Sequence, residues 1–106
     1  MDGDVWDVYN LKVGSIGSDG RIMDKSNLPV GSLWDNERIM DKYSLQVGSM
    51  WGGGRIMDKA CLQAGRVGDN GDIWDKYNLK VGRVEHKSVN LAGAAAYLLL
   101  ILPKQS

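Results

Sequence analysis

The stretch Gly54–Asn70, GRIMDKACLQAGRVGDN, decides the fold, because the chain contains it five times. Aligned on it, the copies begin at Gly3, Gly20, Glu37, Gly54 and Gly71, a period of 17 residues with no insertion or deletion. A strict short period is the signature of a repeat architecture in which one supersecondary unit recurs. The repeats occupy residues 3–19, 20–36, 37–53, 54–70 and 71–87. An apolar segment 88–102 and a tail 103–106 follow, and residues 1–106 read as one domain.

Within a repeat the columns are nearly uniform. Val5, Ile22, Ile39, Ile56 and Ile73 form one apolar column, followed by the large residues Trp6, Met23, Met40, Met57 and Trp74. Asp7, Asp24, Asp41, Asp58 and Asp75 come next, then Leu11, Leu28, Leu45, Leu62 and Leu79. Val13, Val30, Val47, Ala64 and Val81 are each followed by glycine, and Ile16, Leu33, Met50, Val67 and Val84 close the unit.

No apolar face persists at helical spacing, and turn residues bound both halves of each repeat. Two short strands fit instead, as in Arg38–Asp41 and Leu45–Met50, joined by Lys42-Tyr43-Ser44. A three-residue hairpin loop of this kind ends in a left-handed residue. That position is Asn10, Asn27, Ser44, Cys61 and Asn78, and Asn tolerates the conformation better than other non-glycine residues. The Asp before the turn is placed to accept bonds from turn amides. Return loops such as Ser18-Asp19-Gly20, Gly52-Gly53-Gly54 and Asp69-Asn70-Gly71 are strong turn sequences.

Pairing Asp41 with Leu45 sets Ile39 opposite Val47 and assigns the Ile, Leu and Val columns to the interior, with Met40 and Gln46 outside. Val47 and Met50 are three apart, so the alternation requires a bulge, expected at Gly48-Ser49. A bulge in every repeat also bends the sheet toward closure.

From Leu91 to Leu102 no residue is charged. The run is too short to span a bilayer, which takes about 20 residues. It is rich in Ala and Leu, which are strong helix formers, and a helix apolar on all sides must be buried. As a helix, Ala92–Leu102 would be about 16 Å long at 1.5 Å per residue. A strand of six residues spans about 20 Å. Ten strands leave room inside a barrel for such a plug, with Lys104 leaving at the far mouth. The expected fold is therefore all-β: a pseudo-five-fold closed barrel of five 17-residue β-hairpin repeats, about ten strands, around a C-terminal hydrophobic helix.

The pattern G-x-[IV]-x-D-x-x-x-L-x-V-G-x-[IV], tandemly repeated and followed by an Ala/Leu-rich tail, resembles the β-flower proteins. The resemblance covers Gly3 to Leu102. It implies small all-β molecules whose hairpins radiate like petals, here five of them, similar in outline to tubby-like barrels around a hydrophobic helix. It implies a fold and no activity, and it supplies no catalytic residues.

Charge argues against nucleic acid as a partner: 13 basic and 13 acidic residues balance, without a like-charge run. The same balance gives little repulsion against self-association, so a homo-oligomer is compatible with it. The single cysteine, Cys61, excludes an intrachain disulfide. The first residues, MDGDVWDVYN, lack the regions of a signal peptide, which predicts a cytoplasmic protein. Membrane association through the apolar tail is the alternative.

Three groups are candidates for ligand contact. Asp7, Asp24, Asp41, Asp58 and Asp75 form either an oxygen-rich rim or five turn caps; Lys25, Lys42, Lys59 and Lys76, each following one of them, offset their charge. Tyr9, Tyr43 and Tyr77, with Trp34 and Trp51, either stack on sugars or cover the ends of the core. Trp6, Met23, Met40, Met57 and Trp74 form either an exposed apolar belt or packing between neighbouring hairpins. His86 lies in a return loop with no nucleophile fixed beside it. No catalytic residue, metal site or cofactor is expected. The functional expectation is a non-catalytic structural or interaction module. The alternatives are lipid or hydrophobic-ligand binding with weak membrane association, and multivalent carbohydrate binding at the hairpin rim.

Overall fold

The computed structural model describes residues 3–17 and 19–104, and side chains as far as residue 103. The Ser18 turn position, the Lys104 side chain and residues 105–106 lie outside the described residues. Each repeat forms one hairpin: β1 Gly3–Asp7 with β2 Lys12–Ile16, β3 Arg21–Asp24 with β4 Pro29–Trp34, β5 Arg38–Asp41 with β6 Gln46–Trp51, β7 Arg55–Asp58 with β8 Gln63–Val67, and β9 Asp72–Asp75 with β10 Lys80–Glu85. Sequential antiparallel pairing, closed by β1 against β10, makes a ten-strand barrel. Among the described strands, closure leaves no edge open to another chain.

The bulge is present in every hairpin, one residue earlier than expected. Ile39 pairs with Gly48 and Met40 with Gln46, so Val47 is the extra residue. Val13, Val30, Ala64 and Val81 are its counterparts. Ile39 therefore faces Gly48 and not Val47. The shift follows from size: the inward position opposite the isoleucine must be glycine. A Cβ on Gly14, Gly31, Gly48, Gly65 or Gly82 would strike a backbone carbonyl oxygen of the next strand, that of Met23, Met40, Met57, Trp74 and Trp6 respectively.

The core is the barrel lumen. Val5, Ile16, Ile22, Ile39, Ile56 and Ile73 are fully buried there. The apolar C-terminal segment threads it. Ser88 caps the helix α1, Val89–Ala96, accepting from the Leu91 amide at 3.2 Å. Asn90 Nδ2 donates to the Asn36 carbonyl at 2.7 Å, tying the helix start to a return loop. Ala92 to Ala96 are buried among the large wall residues, and a Cβ on Gly93 would meet Met50 Sδ at 2.5 Å.

At Tyr97 the helix widens. Tyr97–Ile101 is one π-helical turn, with the Leu102 amide bonded to the Tyr97 carbonyl five residues back, and Leu102–Lys104 closes in a 3-10 turn. The expected single α-helix is thus three kinds of helix in succession. An α-helix rotates about 100° per residue, whereas five petals are about 72° apart; bonding to the fifth residue lowers the rotation toward the petal spacing. Each of the five residues then addresses a different petal. The glycine Cβ positions would lie 3.1 Å from Tyr97 at Gly48, 2.7 Å from Leu98 at Gly31 and 2.5 Å from Leu99 at Gly14. They would lie 2.8 Å from Leu100 at Gly82 and 3.0 Å from Ile101 at Gly65. That order runs once around the barrel, third hairpin to fourth.

The outer wall has its own rule. Trp6, Met23, Met40, Met57 and Trp74 stand on the outer face but are half-buried or buried between hairpins, Met40 and Met57 each 5% exposed. Across three of the inter-hairpin boundaries methionine meets serine: Met23 with Ser15, Met40 with Ser32, Met57 with Ser49. Tryptophan meets arginine: Trp74 with Arg66, Trp6 with Arg83. Both guanidinium groups lie 5.2 Å from the ring centroid, a cation–π distance.

The Met57 carbonyl and, behind it, Tyr97 of the π turn make Gly48 intolerant of a side chain. Gly48→Ala should cost about 1–3 kcal/mol by overpacking, while Gly52→Ala, in a return loop with nothing within 4 Å of the added carbon, should be near neutral in denaturant melts. The wall pairs predict a second outcome. Trp74→Met and Arg66→Ser together should be less destabilising than the two single changes added, by about 0.5–1 kcal/mol in a double-mutant cycle. A third concerns Tyr97, 1% exposed, whose phenol is pushed above its ordinary value of 10.0 by burial and then by the Asp58 carboxylate. Its contribution to stability is complete below the unfolded value of 10.0 and is lost as pH rises through the higher folded value. Alkaline unfolding monitored by circular dichroism should shift to higher pH in Tyr97→Phe.

Candidate functional site: the hairpin-turn rim

Strands β1, β3, β5, β7 and β9 run the same way, so all five hairpin turns collect at one mouth of the barrel. Each turn is built identically. The amide of Asn10, Asn27, Ser44, Cys61 or Asn78 donates to the preceding Asp carbonyl at 3.0–3.1 Å. These residues are left-handed, with φ between 62° and 67°. Asp Oδ1 accepts from the amide two residues on, at 2.8–2.9 Å. It also accepts from the leucine amide four residues on, at 2.9–3.0 Å. The Asp amide in return donates to the leucine carbonyl at 2.9 Å in every copy. One oxygen of each carboxylate is thus committed to its own turn. Among the described residues no three His, Cys, Asp or Glu side chains come together as a metal-ligand group.

The leucine column is where the structure departs furthest from the sequence reading. Leu11, Leu28, Leu45, Leu62 and Leu79 are not interior; they are 62, 60, 63, 66 and 63% exposed. Each is held by both its amide and its carbonyl in the Asp turn, beyond the last ladder pair. Val47 and its counterparts absorb the alternation that was expected to carry the leucine inward. The Asp-to-Leu spacing of four is the sequence signal for this, since it places leucine in the turn rather than the strand. The tyrosines do not cover the core either: Tyr9, Tyr43 and Tyr77 are 80, 71 and 71% exposed at the same rim. Lys42 and Lys76 lie over the rings of Tyr43 and Tyr77 at 5.3 and 5.4 Å. Trp34 and Trp51 sit at the opposite mouth under Arg38 and Arg55.

Between neighbouring petals the rim has small notches floored by the π turn. One of about 210 Å³ is lined by Val47, Asp58, Lys59, Ala60, Tyr97 and Leu102. Its neighbour, about 120 Å³, repeats the plan one hairpin on, with Ala64 for Val47, Asp75 and Lys76 at the edge, and Leu100 and Ile101 below. Neither holds a nucleophile beside a base. Cys61 is exposed on its turn. His86 is at the opposite mouth, where Nδ1 accepts from the Ser88 amide at 2.9 Å. The rim therefore presents a leucine in all five turns, a lysine in four and a tyrosine in three. No described helix is long and apolar enough to cross a membrane. Compared with protein-family models, curated proteins and solved structures, the chain finds a match in none of them.

Proposed function

We propose that this chain is a non-catalytic interaction module of the β-flower type, and that it makes contact through the hairpin-turn rim. The observation carrying the proposal is the ring of five leucines, each at least 60% exposed, where interior packing would have been expected of the residue type. Three exposed tyrosines share the ring. The uniformity of the five turns supports adhesion over catalysis, since a reactive site concentrates its chemistry in one place. The C-terminal apolar segment is occupied as the barrel plug from Ala92 to Ile101, so the rim, rather than that segment, offers apolar surface to a partner.

A variant with Leu11, Leu28, Leu45, Leu62 and Leu79 all changed to Ser tests this. It should stay folded, because exposed substitutions seldom move stability by more than about 0.5 kcal/mol each. It should lose retention on a phenyl resin and lose enhancement of bis-ANS fluorescence. Unchanged retention and dye binding in a folded variant would refute the rim as the contact face.

A further inference from the structure

We propose that Asn70 is a site of covalent self-modification, at which the side-chain amide is lost to the backbone nitrogen of Gly71. Asparagine is among the thermally labile residues, because its amide carbon and the next backbone nitrogen can close a five-membered ring. The Gly71 nitrogen attacks the Asn70 amide carbon and a C–N bond forms. The side-chain amine leaves as ammonia, taking up the Gly71 N–H proton. Water then adds to one carbonyl of the succinimide and breaks one of its two C–N bonds. One break restores the ordinary chain with aspartate at 70. The other carries the backbone through the former side chain, as isoaspartate. Water is the only co-reactant.

The fold exposes this one asparagine and protects the others. Of the six in the chain, Asn70 alone precedes glycine, so no β-carbon shields the attacking nitrogen. Asn70 is exposed in the return loop between β8 and β9, and its side chain makes no hydrogen bond among the described residues. The Gly71 amide is held by the Gly68 carbonyl at 3.2 Å, the longest of the turn bonds among the described residues. Glycines at both ends of that turn leave it the rotation the attack requires. Asn10, Asn27 and Asn78 precede leucines whose amides are bonded to Asp Oδ1 at 2.9–3.0 Å. Asn36 precedes Glu37, whose amide donates to the Trp34 carbonyl at 3.0 Å. Asn90 lies in α1 and commits its own side-chain amide to the Asn36 carbonyl.

The first return loop shows what the product would meet. Asp19 stands there in the position of Asn70; it accepts from the Arg21 amide at 3.1 Å and pairs with the Arg21 guanidinium at 3.1 Å. In the fifth repeat Asp72 replaces that arginine and is itself paired with Lys80 at 3.2 Å. Aspartate at 70 would thus join Asp69 and Asp72 without the cation that serves Asp19. Asp69 also lines the hollow of about 450 Å³ beside Val89 and Asn90, at the start of the plug. The modification therefore changes the charge of one return loop in five, next to the plug entry.

Ageing the intact chain at body temperature and mildly alkaline pH, with tryptic mapping, provides the test. The peptide 67–76, in which Asn70 is the only asparagine, should gain one mass unit and separate into aspartyl and isoaspartyl forms. The isoaspartyl form should accept a methyl group from S-adenosylmethionine in the presence of an isoaspartyl methyltransferase. Asn70→Ser should abolish the change with the melting temperature unchanged, as should Asn70→Gln, whose amide carbon is one atom further from the nitrogen. A synthetic peptide of residues 67–76 sets the unrestrained rate. The folded chain should stay within about tenfold of it; a greater lag, toward the roughly hundredfold cost of holding reacting atoms out of line, would show the loop protecting Asn70 and overturn the proposal. Equal loss of amide at Asn36 or any other asparagine would overturn it too. Isoaspartate persisting in Asn70→Ser would do the same, by assigning the product to Asp69 or Asp72.

Discussion

Five glycines set the form of this molecule. Gly14, Gly31, Gly48, Gly65 and Gly82 are required by closeness, not by backbone conformation: each lies against the carbonyl of the adjoining petal on one side and a plug side chain on the other. Their φ values are unexceptional, unlike those of Gly53 and Gly71 at 79° and 82°, where the return loops demand the left-handed region. Removing Cβ five times at one level widens the lumen there, and Tyr97, Leu98, Leu99, Leu100 and Ile101 fill the ring. Above that level, the wall is Ile, Val and Met, and the plug is correspondingly Ala and Gly. Wall and plug thus exchange bulk along the axis, which is how close packing is achieved around a helix without a polar face.

The π turn follows from the same constraint. Such turns are rare and form where something outweighs ordinary i→i+4 bonding. Here the outweighing factor is the barrel: five equal compartments are filled by five consecutive residues only if the helix slows its rotation. On the outer wall the analogous problem is how neighbouring hairpins recognise one another. Serine with methionine serves three boundaries and arginine with tryptophan serves two, including the one between β10 and β1 that shuts the ring. The larger pair reaches further, since Arg66 bonds Asn78 at 2.8 Å and Arg83 bonds Asn10 at 3.3 Å, linking each wall to the next turn.

Much of this was legible in the sequence because it is local. The Asp cap, the left-handed residue at Asn10 through Asn78, and the fixed period each depend on a few adjacent residues, and each repeats. Closure and the plug were legible from the period together with an apolar run that had no polar face. What escaped were quantities decided across the barrel. Whether Val47 or Gly48 is the bulged residue depends on the carbonyl of the neighbouring petal and the side chain of Tyr97. The leucines looked interior by residue type, but the turn that precedes them ends the ladder before they are reached. The π turn has no sequence mark apart from the number of petals.

A wall that repeats five times poses a keying problem to anything inserted in it, since a plug without symmetry could settle in any of five rotational orientations. The three residues joining β10 to α1 restrict the choice, and two contacts sharpen it. Met50 is the only methionine in the column Ile16, Leu33, Met50, Val67, Val84, and it occupies the gap left by Gly93. Asn90 is latched to the Asn36 carbonyl, in the return loop just ahead of β5 and of the petal that carries Met50. One notch and one latch, both outside the repeat pattern, thus convert a lock with five equivalent positions into a lock with one.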